Sequence, residues 1–376
     1  MQTRSSNKVF FEAQIVVIGA GVIGCSVAYH LARRGASVTV IDANGIGTGT
    51  SSATLGLVWV QRKEPAEYME LNLLSSMLHA ELANTFDEDV ELEQSGGLSS
   101  YLDEDTFHKQ LGAMERLNAT SKKHQARSLT PTEAHELEPA LSLDIVGAIY
   151  SPLDGAVNPI KLVFNLARNA RKLGVNFFTD TPALRIDRNE AGVTGIDTPK
   201  GFMRAKTVVV TAGAGTSSLV KSVGIDLPMV FEKGQLLVTE ALPKLVKYPT
   251  GNTRQTKRGN ILLGTTYEAN QTERITTVEG AYKVANDSLR RYPRLKDAQI
   301  IRHFAGVRPL PKDGKPYLGP VKRVPGLYVA TSHSGITLAP IHGKVISELI
   351  LDRKTDVPLE LYRPERFMRD ETGVSG

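Results

Sequence analysis

The chain has 376 residues, 41% of them apolar and 23% charged, with a formal net charge of +5. That balance excludes disordered and fibrous classes, and the length exceeds what one hydrophobic core usually fills, so two intertwined domains are expected. Lys and Arg are spread along the chain, which argues against nucleic acid as a partner, and the single cysteine, Cys25, excludes an internal disulfide and any multi-cysteine metal or iron–sulfur site and implies a reducing compartment.

Met1–Gln14 is polar apart from Val9, Phe10 and Phe11, and no run in the chain reaches the ~20 apolar residues that a spanning helix needs. A cytoplasmic protein is expected, with peripheral attachment to a membrane through a partner left open. Ile15–Ile18 is a β-branched run suited to a strand buried on both faces. It opens into Gly19-Ala-Gly-Val-Ile-Gly24, followed by Cys25, Ala28, Leu31 and Ala32 at helical spacing, Gly35 as a stop, and a second strand ending at Asp42. Gly19 permits the tight turn, Gly21 the approach of a pyrophosphate and Gly24 close helix–strand packing, while Asp42 stands where a carboxylate accepts from ribose hydroxyls. These features form one βαβ dinucleotide-binding unit. Cys25, on the inner face of that helix, reads as a packed small residue.

The next segment, Gly45–Val60, is rich in glycine, serine and threonine where an NAD-binding fold would start another helix. Such a loop wraps a second stretch of pyrophosphate and carries the backbone up to an isoalloxazine ring, so FAD is the dinucleotide expected. Residues 160–173 then show an amphipathic helix with Ile160, Val163, Phe164, Ala167 and Ala170 on one face. Strands are predicted at Val175–Thr179, Ala183–Asp187, Gly192–Thr198 and Thr207–Thr211. Between about 226 and 305 the pattern alternates like an antiparallel sheet, clearest at Gln235–Thr239 and Ile261–Thr266. The last strand, Gly326–Ala330, runs through Thr331–Ser334 into a terminal helix ending at Leu351.

The unit Gly19–Asp42, the loop Gly45–Val60, the stretch Asp154–Pro159, the turn Thr207–Gly215, and the blocks Ala305–Pro309 and Asp313–Gly319 resemble the D-amino-acid oxidase-like family of FAD-dependent amine oxidoreductases. The resemblance covers nearly the whole chain. It implies an α/β fold, α+β overall, in which a Rossmann-like FAD-binding domain (1–88, 140–225 and 306–376) is interleaved with a substrate or cap domain (89–139 and 226–305) on a mostly antiparallel sheet. The FAD-contacting set it implies is Gly19, Gly21, Gly24, Asp42, Ala43, Thr50, Ser51, Ser52 and Leu57, then Ala183, Ala212 and Gly213, then Gly306, Gly335, Ile336 and Thr337. The amides at Gly335–Thr337 are expected to face flavin N1 and O2, a role with which an ordinary N-terminal cap by Ser334 or Thr337 is fully compatible. No cysteine lies near the C-terminal motifs where relatives attach FAD covalently, so non-covalent FAD is expected.

In the family's pattern Arg308 matches the residue that binds the substrate carboxylate, Tyr267 is a candidate phenol closing over it, and His333 a candidate partner of ring or substrate. His303 reads as a structural histidine. Arg254 and Gln255 either face the cavity or sit in a solvated hairpin. The implied activity is oxidation of the C–N bond of an amino acid or N-substituted amino acid by hydride transfer to flavin N5, giving an imine that hydrolyses. The chain looks most like the opine oxidase and D-hydroxyproline dehydrogenase branch, which implies an opine-like substrate and further subunits. The alternatives are a glycine or sarcosine oxidase that uses oxygen directly, and an FAD-bearing electron-relay subunit without a substrate of its own.

Overall fold

The structure, a computed structural model, describes residues 9–368. Residues 1–8 and 369–376, which the expected FAD domain includes, lie outside the described residues. The chain opens with β1 (Val9–Ile18), α1 (Val22–Arg33) and β2 (Val38–Ile41). Ile15–Ile18 and all of β2 are buried, as strands covered on both faces require. Gly19 has φ 110°, and a Cβ on Gly24 would lie 1.8 Å from the Gly19 carbonyl oxygen. Only glycine lets α1 start this close to the strand end.

A loop leads to β3 (Leu57–Val58) and the long α2 (Ala66–Thr85). Next come β4 (Gly97–Tyr101), α3 (Glu104–Thr120), β5 (Arg127–Leu129), α4 (Pro131–Leu137) and β6 (Gly147–Ser151). β6 runs antiparallel between β4 and β5. Asp103 caps α3, and Thr130 with Glu133 forms a capping box on α4, which fixes where each helix begins. β7 (Gly155–Ala156) pairs back onto β3, and α5 (Pro159–Lys172) starts on an Asn158 cap. Its buried stripe is Leu162, Val163, Leu166, Ala167 and Ala170, whereas Ile160 and Phe164, expected inside, are exposed. Two apolar stripes overlap in this sequence, and packing against α1 selects the one through Leu162 and Leu166.

β8 (Asn176–Phe178) extends the parallel sheet beyond β2. β9 (Arg185–Asn189) and β10 (Gly192–Thr198) form a hairpin, and β11 (Gly201–Val210) pairs antiparallel with β10 and parallel with β1. After α6 (Thr216–Lys221) the chain builds an antiparallel sheet from β12 (Met229–Ala241), β13 (Thr253–Gln255), β14 (Asn260–Gly264), β15 (Glu268–Ala269) and, beyond α7 (Val278–Arg291), β16 (Ile300–Pro311). β12 and β16 pair from Met229↔Pro311 to Thr239↔Ile300. β17 (Tyr317–Pro320) and β18 (Leu327–Thr331) rejoin the first sheet, and α8 (Gly335–Leu351) follows.

The first sheet has the order β17-β18-β11-β1-β2-β8, with β10 and β9 branching from β11; the second has the order β13-β14-β12-β16, with β15 also on β12. Ile15 and Val17 face the core shared with α1, α5 and α8, and Val16 and Ile18 face the core under α6. A third core joins α7, β12 and β14 to β4 and β6. This is the mixed α/β architecture expected, with a Rossmann-like sheet beside an antiparallel one. Among the described residues no helix is long and apolar enough to cross a membrane.

Candidate functional site: a dinucleotide cavity beside an arginine-bearing sheet

The C-terminal ends of β1, β2, β11 and β18 open on one cavity of about 480 Å³, the place where ligands sit on doubly wound sheets. Its wall takes in Gly19, Gly21, Val22, Asp42, Ala43, Thr48–Ser51, Pro182–Leu184, Thr211–Gly215, Thr331–His333, Gly335 and Ile336. Asp42 Oδ2 accepts from the Ala20 amide and Oδ1 from the Asn44 amide, both at 2.8 Å. The carboxylate thus shapes the turn, and each oxygen keeps a lone pair for a ribose hydroxyl. Ser51 Oγ accepts from the Val22 amide at 3.0 Å and joins the second loop to the start of α1.

α3, α4, α5 and α7 carry side-chain caps, whereas the N-cap residues of α1, α2, α6 and α8 provide none. The N-termini of α1, α6 and α8 border the cavity, the first with its Val22 amide held by Ser51. Unsatisfied amides and two positive helix ends suit a diphosphate at one end and an electron-rich ring edge at the other. Neither Ser334 nor Thr337 caps α8 with its side chain. Ser334 Oγ accepts from Lys63 Nζ at 2.6 Å, and Thr337 Oγ1 accepts from the Trp59 amide and donates to the Leu57 carbonyl. Glycine-permitted contacts, a half-free carboxylate and uncapped amides fit FAD.

Of the residues expected at FAD, Gly19, Gly21, Asp42, Ala43, Thr50, Ser51, Ala183, Ala212, Gly213, Gly335 and Ile336 line this cavity. Gly24, Ser52, Leu57, Gly306 and Thr337 stand behind it. Ser52 Oγ donates to the Gly49 carbonyl, Leu57 belongs to β3, and a Cβ on Gly306 would lie 2.8 Å from Ala53, so Gly306 lets the loop lie against β16. Arg274 escaped the sequence reading. It lines the cavity and donates to the Thr48 carbonyl at 2.7 Å, beside the phosphate loop.

On the neighbouring sheet, Arg308 faces Glu232 across the β12–β16 ladder and pairs with it at 2.7 Å. Its guanidinium also donates to Thr265 Oγ1 at 2.7 Å and lies 4.9 Å from the centre of the Tyr267 ring. Arg308 and Tyr267 are therefore together, and Pro309 carries the strand into the cofactor cavity. Tyr267 is 72% exposed, its outer face open to solvent. His333 is exposed where it opens onto the cofactor cavity; the surrounding protein and the charges of Lys63 and Arg308 push it below the usual imidazole range. It is neutral at ordinary pH and too weakly basic to take a proton from an ammonium group. Burial and neighbouring Arg62 push Lys63 down to about 8.

Arg254 and Gln255 fit neither alternative considered for them. Arg254 is buried and donates to the carbonyls of Leu55 and Val157, while Gln255 spends its amide on the backbone between Leu242 and Gly259. Both are staples. His303 lies on β16 opposite Leu237, and Cys25 is buried against the Ala20 carbonyl, where desolvation pushes its thiol up.

Comparison with known proteins bears on this geometry. A family model described as DAO, FAD dependent oxidoreductase, matches residues 14–349. A subunit of the opine oxidase of Agrobacterium tumefaciens is 28% identical over 366 residues, covering 95% of this chain and 98% of that protein. Glycine oxidase from Geobacillus kaustophilus superposes with a TM-score of 0.89 at 26% identity, covering 95% of this chain and 99% of that one. L-proline dehydrogenase from P. horikoshii gives 0.86 at 25% identity, with 95% and 98% covered. The chain belongs to the DAO family and is an FAD-dependent amino-acid or amine oxidoreductase.

Proposed function

We propose that the chain oxidises the C–N bond of a secondary-amine amino acid of the opine or hydroxyproline kind, as one subunit of a heteromeric dehydrogenase. The observation that carries this reading is Arg308, held by Glu232, Thr265 and the Tyr267 ring one residue from the cofactor cavity. Its Nη1 donates to Glu232 and the Thr266 carbonyl and its Nη2 to Thr265 and the same carbonyl, so a substrate carboxylate gains its paired donors by displacing Glu232 from the guanidinium. Tyr267 then closes over the bound acid.

When bound, FAD supplies the hydride acceptor. The protein's work is orientation and electrostatics: Arg308 fixes the acid, neutral His333 avoids adding a charge beside the amine, and the start of α8 with Lys63 favours negative charge gathering at the ring edge. The carbon beside nitrogen loses hydride, the nitrogen lone pair forms the C=N bond, and water hydrolyses the imine to a carbonyl compound and an amine. Kinship to a protein named as a subunit supports a multi-subunit enzyme, as do the exposed apolar side chains of Ile275, Val278 and Tyr282 on and before α7.

The test is anaerobic mixing with a panel of amino acids and opines, following loss of the flavin band. Arg308→Lys should raise half-saturation about 10-fold or more by losing the paired geometry, and Arg308→Ala further, with flavin content kept. Wild-type reduction kinetics in Arg308→Ala would remove the carboxylate role. Admitting air to the reduced enzyme separates an oxidase, which consumes oxygen at the turnover rate, from a dehydrogenase, which does not.

A further inference from the structure

The cavity at the ends of β1, β2, β11 and β18 serves a cofactor whose diphosphate is anionic, yet the sheet that builds it supplies no cation to the wall. Asp42 adds a negative charge there and His333 is neutral, so Arg274 carries the one full positive charge among the described residues that line it. A diphosphate near a carboxylate calls for more counter-charge than the partial charge of a helix start provides.

Arg274 comes from the other sheet. It stands in a strap, residues 268–277, that leaves the antiparallel sheet after Tyr267 and returns at the start of α7. Both ends are tied down. At the first, β15 pairs with β12, Glu268 pairs with Lys233 at 2.7 Å and accepts from Thr266 Oγ1 and Gln235 Nε2, and the Asn270 amide donates to the Phe231 carbonyl at 2.8 Å. At the second, the Thr277 amide donates to Gln235 Oε1 at 2.8 Å and the Thr277 hydroxyl caps α7. Buried Gln235 thus fixes both ends to one position on β12.

Between these anchors, residues 271–276 are exposed apart from half-buried Thr276 and make no backbone–backbone hydrogen bond among the described residues. The span is held out across the cavity by Arg274, whose Nη1 donates to the Thr48 carbonyl at 2.7 Å and whose Nη2 hangs over Gly49, where a Cβ would lie 4.0 Å away. The target is itself fixed: the Gly47 amide donates to the Ala20 carbonyl at 2.9 Å, Ser51 Oγ accepts from the Val22 amide, and Thr50 Oγ1 donates to the Val307 carbonyl at 2.6 Å. The loop therefore brings the arginine to the start of α1, where amides take a phosphate. Neighbouring Glu268 and Glu279 are matched with Lys233 and Lys283, and no carboxylate pairs with Arg274 among the described residues. A planar guanidinium has more donors than one carbonyl consumes.

We infer that Arg274 is an FAD-binding residue, a clamp that the antiparallel sheet lends to the cofactor's diphosphate, with the Thr48 carbonyl setting its aim. Cofactor retention then depends on a strap that starts at the residues holding Arg308, namely Thr265, Thr266 and Tyr267. The clamp is independent of which amine is oxidised.

The test titrates the full-length apoprotein with FAD, with ADP and with adenosine, the last two differing only in the diphosphate. Arg274→Gln should raise the FAD dissociation constant about 10- to 100-fold and cut the preference for ADP over adenosine by a similar factor, with adenosine affinity unchanged. Arg274→Lys keeps the charge and loses the fork, so it should fall between the two. Raising the salt from about 0.05 M to about 0.5 M should weaken FAD binding more in the native protein than in Arg274→Gln. Arg274 is exposed, so the urea midpoint of the apoprotein should be the same in all three. Native FAD affinity in Arg274→Gln overturns the clamp, and so does an equal salt response of the two proteins. An equal loss for ADP and adenosine, or a lowered midpoint with the ADP preference intact, overturns it as well and makes Arg274 a staple that acts through the loop.

Discussion

Asp42 shows how one side chain serves both the apo turn and the cofactor. Its two oxygens each accept one backbone amide, from Ala20 and Asn44, so the carboxylate is already oriented when ribose hydroxyls arrive. Asp42→Ala should weaken FAD binding by about 1–3 kcal/mol, roughly 10- to 100-fold, measured by fluorescence titration of the apoprotein. An unchanged dissociation constant would place the ribose elsewhere. Cys25, the one cysteine of the chain, is fully buried and its thiol is pushed up by desolvation, so no reactive thiolate faces the flavin. Acid precipitation should therefore leave all flavin in the supernatant. Flavin retained on the peptide would require another attachment residue.

At the scale of elements, the site is an arrangement of two helix starts, and the second depends on a long-range staple. Thr337 Oγ1 holds the Trp59 amide at 3.0 Å and the Leu57 carbonyl at 3.2 Å, fixing the first turn of α8 to β3. Thr337→Val keeps the shape and leaves both groups unpaired in a buried position. We expect a loss of about 1–3 kcal/mol in urea unfolding at unchanged slope, together with weaker FAD retention. A wild-type midpoint would mean that β3 and α8 are held by packing alone. The first helix start was legible in the sequence because strand, glycine triplet, helix and terminal acid are contiguous. The second was legible only through resemblance. Glu232 opposite Arg308 was not legible, since it depends on the β12–β16 register, and neither was the anchoring of the Val60–Gln61 backbone by Asp154 more than 90 positions away. The apolar face of α5 was misread for the same reason: the partner helix, absent from the local sequence, decides which stripe is inside.

For the whole molecule, interleaving has a consequence in its response to acid. α1, α2 and α8 pack together with histidines at their contacts: His30, His79 and His342 are each pushed down to about 4 by burial. The unfolded chain protonates these groups near 6.5. Between about 6.5 and 4 the unfolded state binds protons that the native state refuses, so stability falls as the pH is lowered, by up to about 1.4 kcal/mol per pH unit for each histidine. Above that window they contribute no slope. Asp154 acts in the opposite sense, because burial raises it to about 6 and the native state takes its proton first, offsetting one histidine between about 6 and 3.8. The net expectation is a melting temperature that drops steeply below pH 6.5. His79 isolates one share of that drop. Its Nε2 donates to the carbonyls of Ile336 at 2.9 Å and Thr337 at 3.2 Å, at the start of α8. His79→Gln keeps an N–H donor there and removes the titration, so its melting temperature should vary less with pH between 6.5 and 4 than that of the wild type, even if it lies lower at pH 7.5. Equal slopes in that window would mean that His79 gains its proton in the native state, through water reaching the α2–α8 contact, and that the acid response comes from the other histidines pushed down in the fold, His30, His342 and His333 among them.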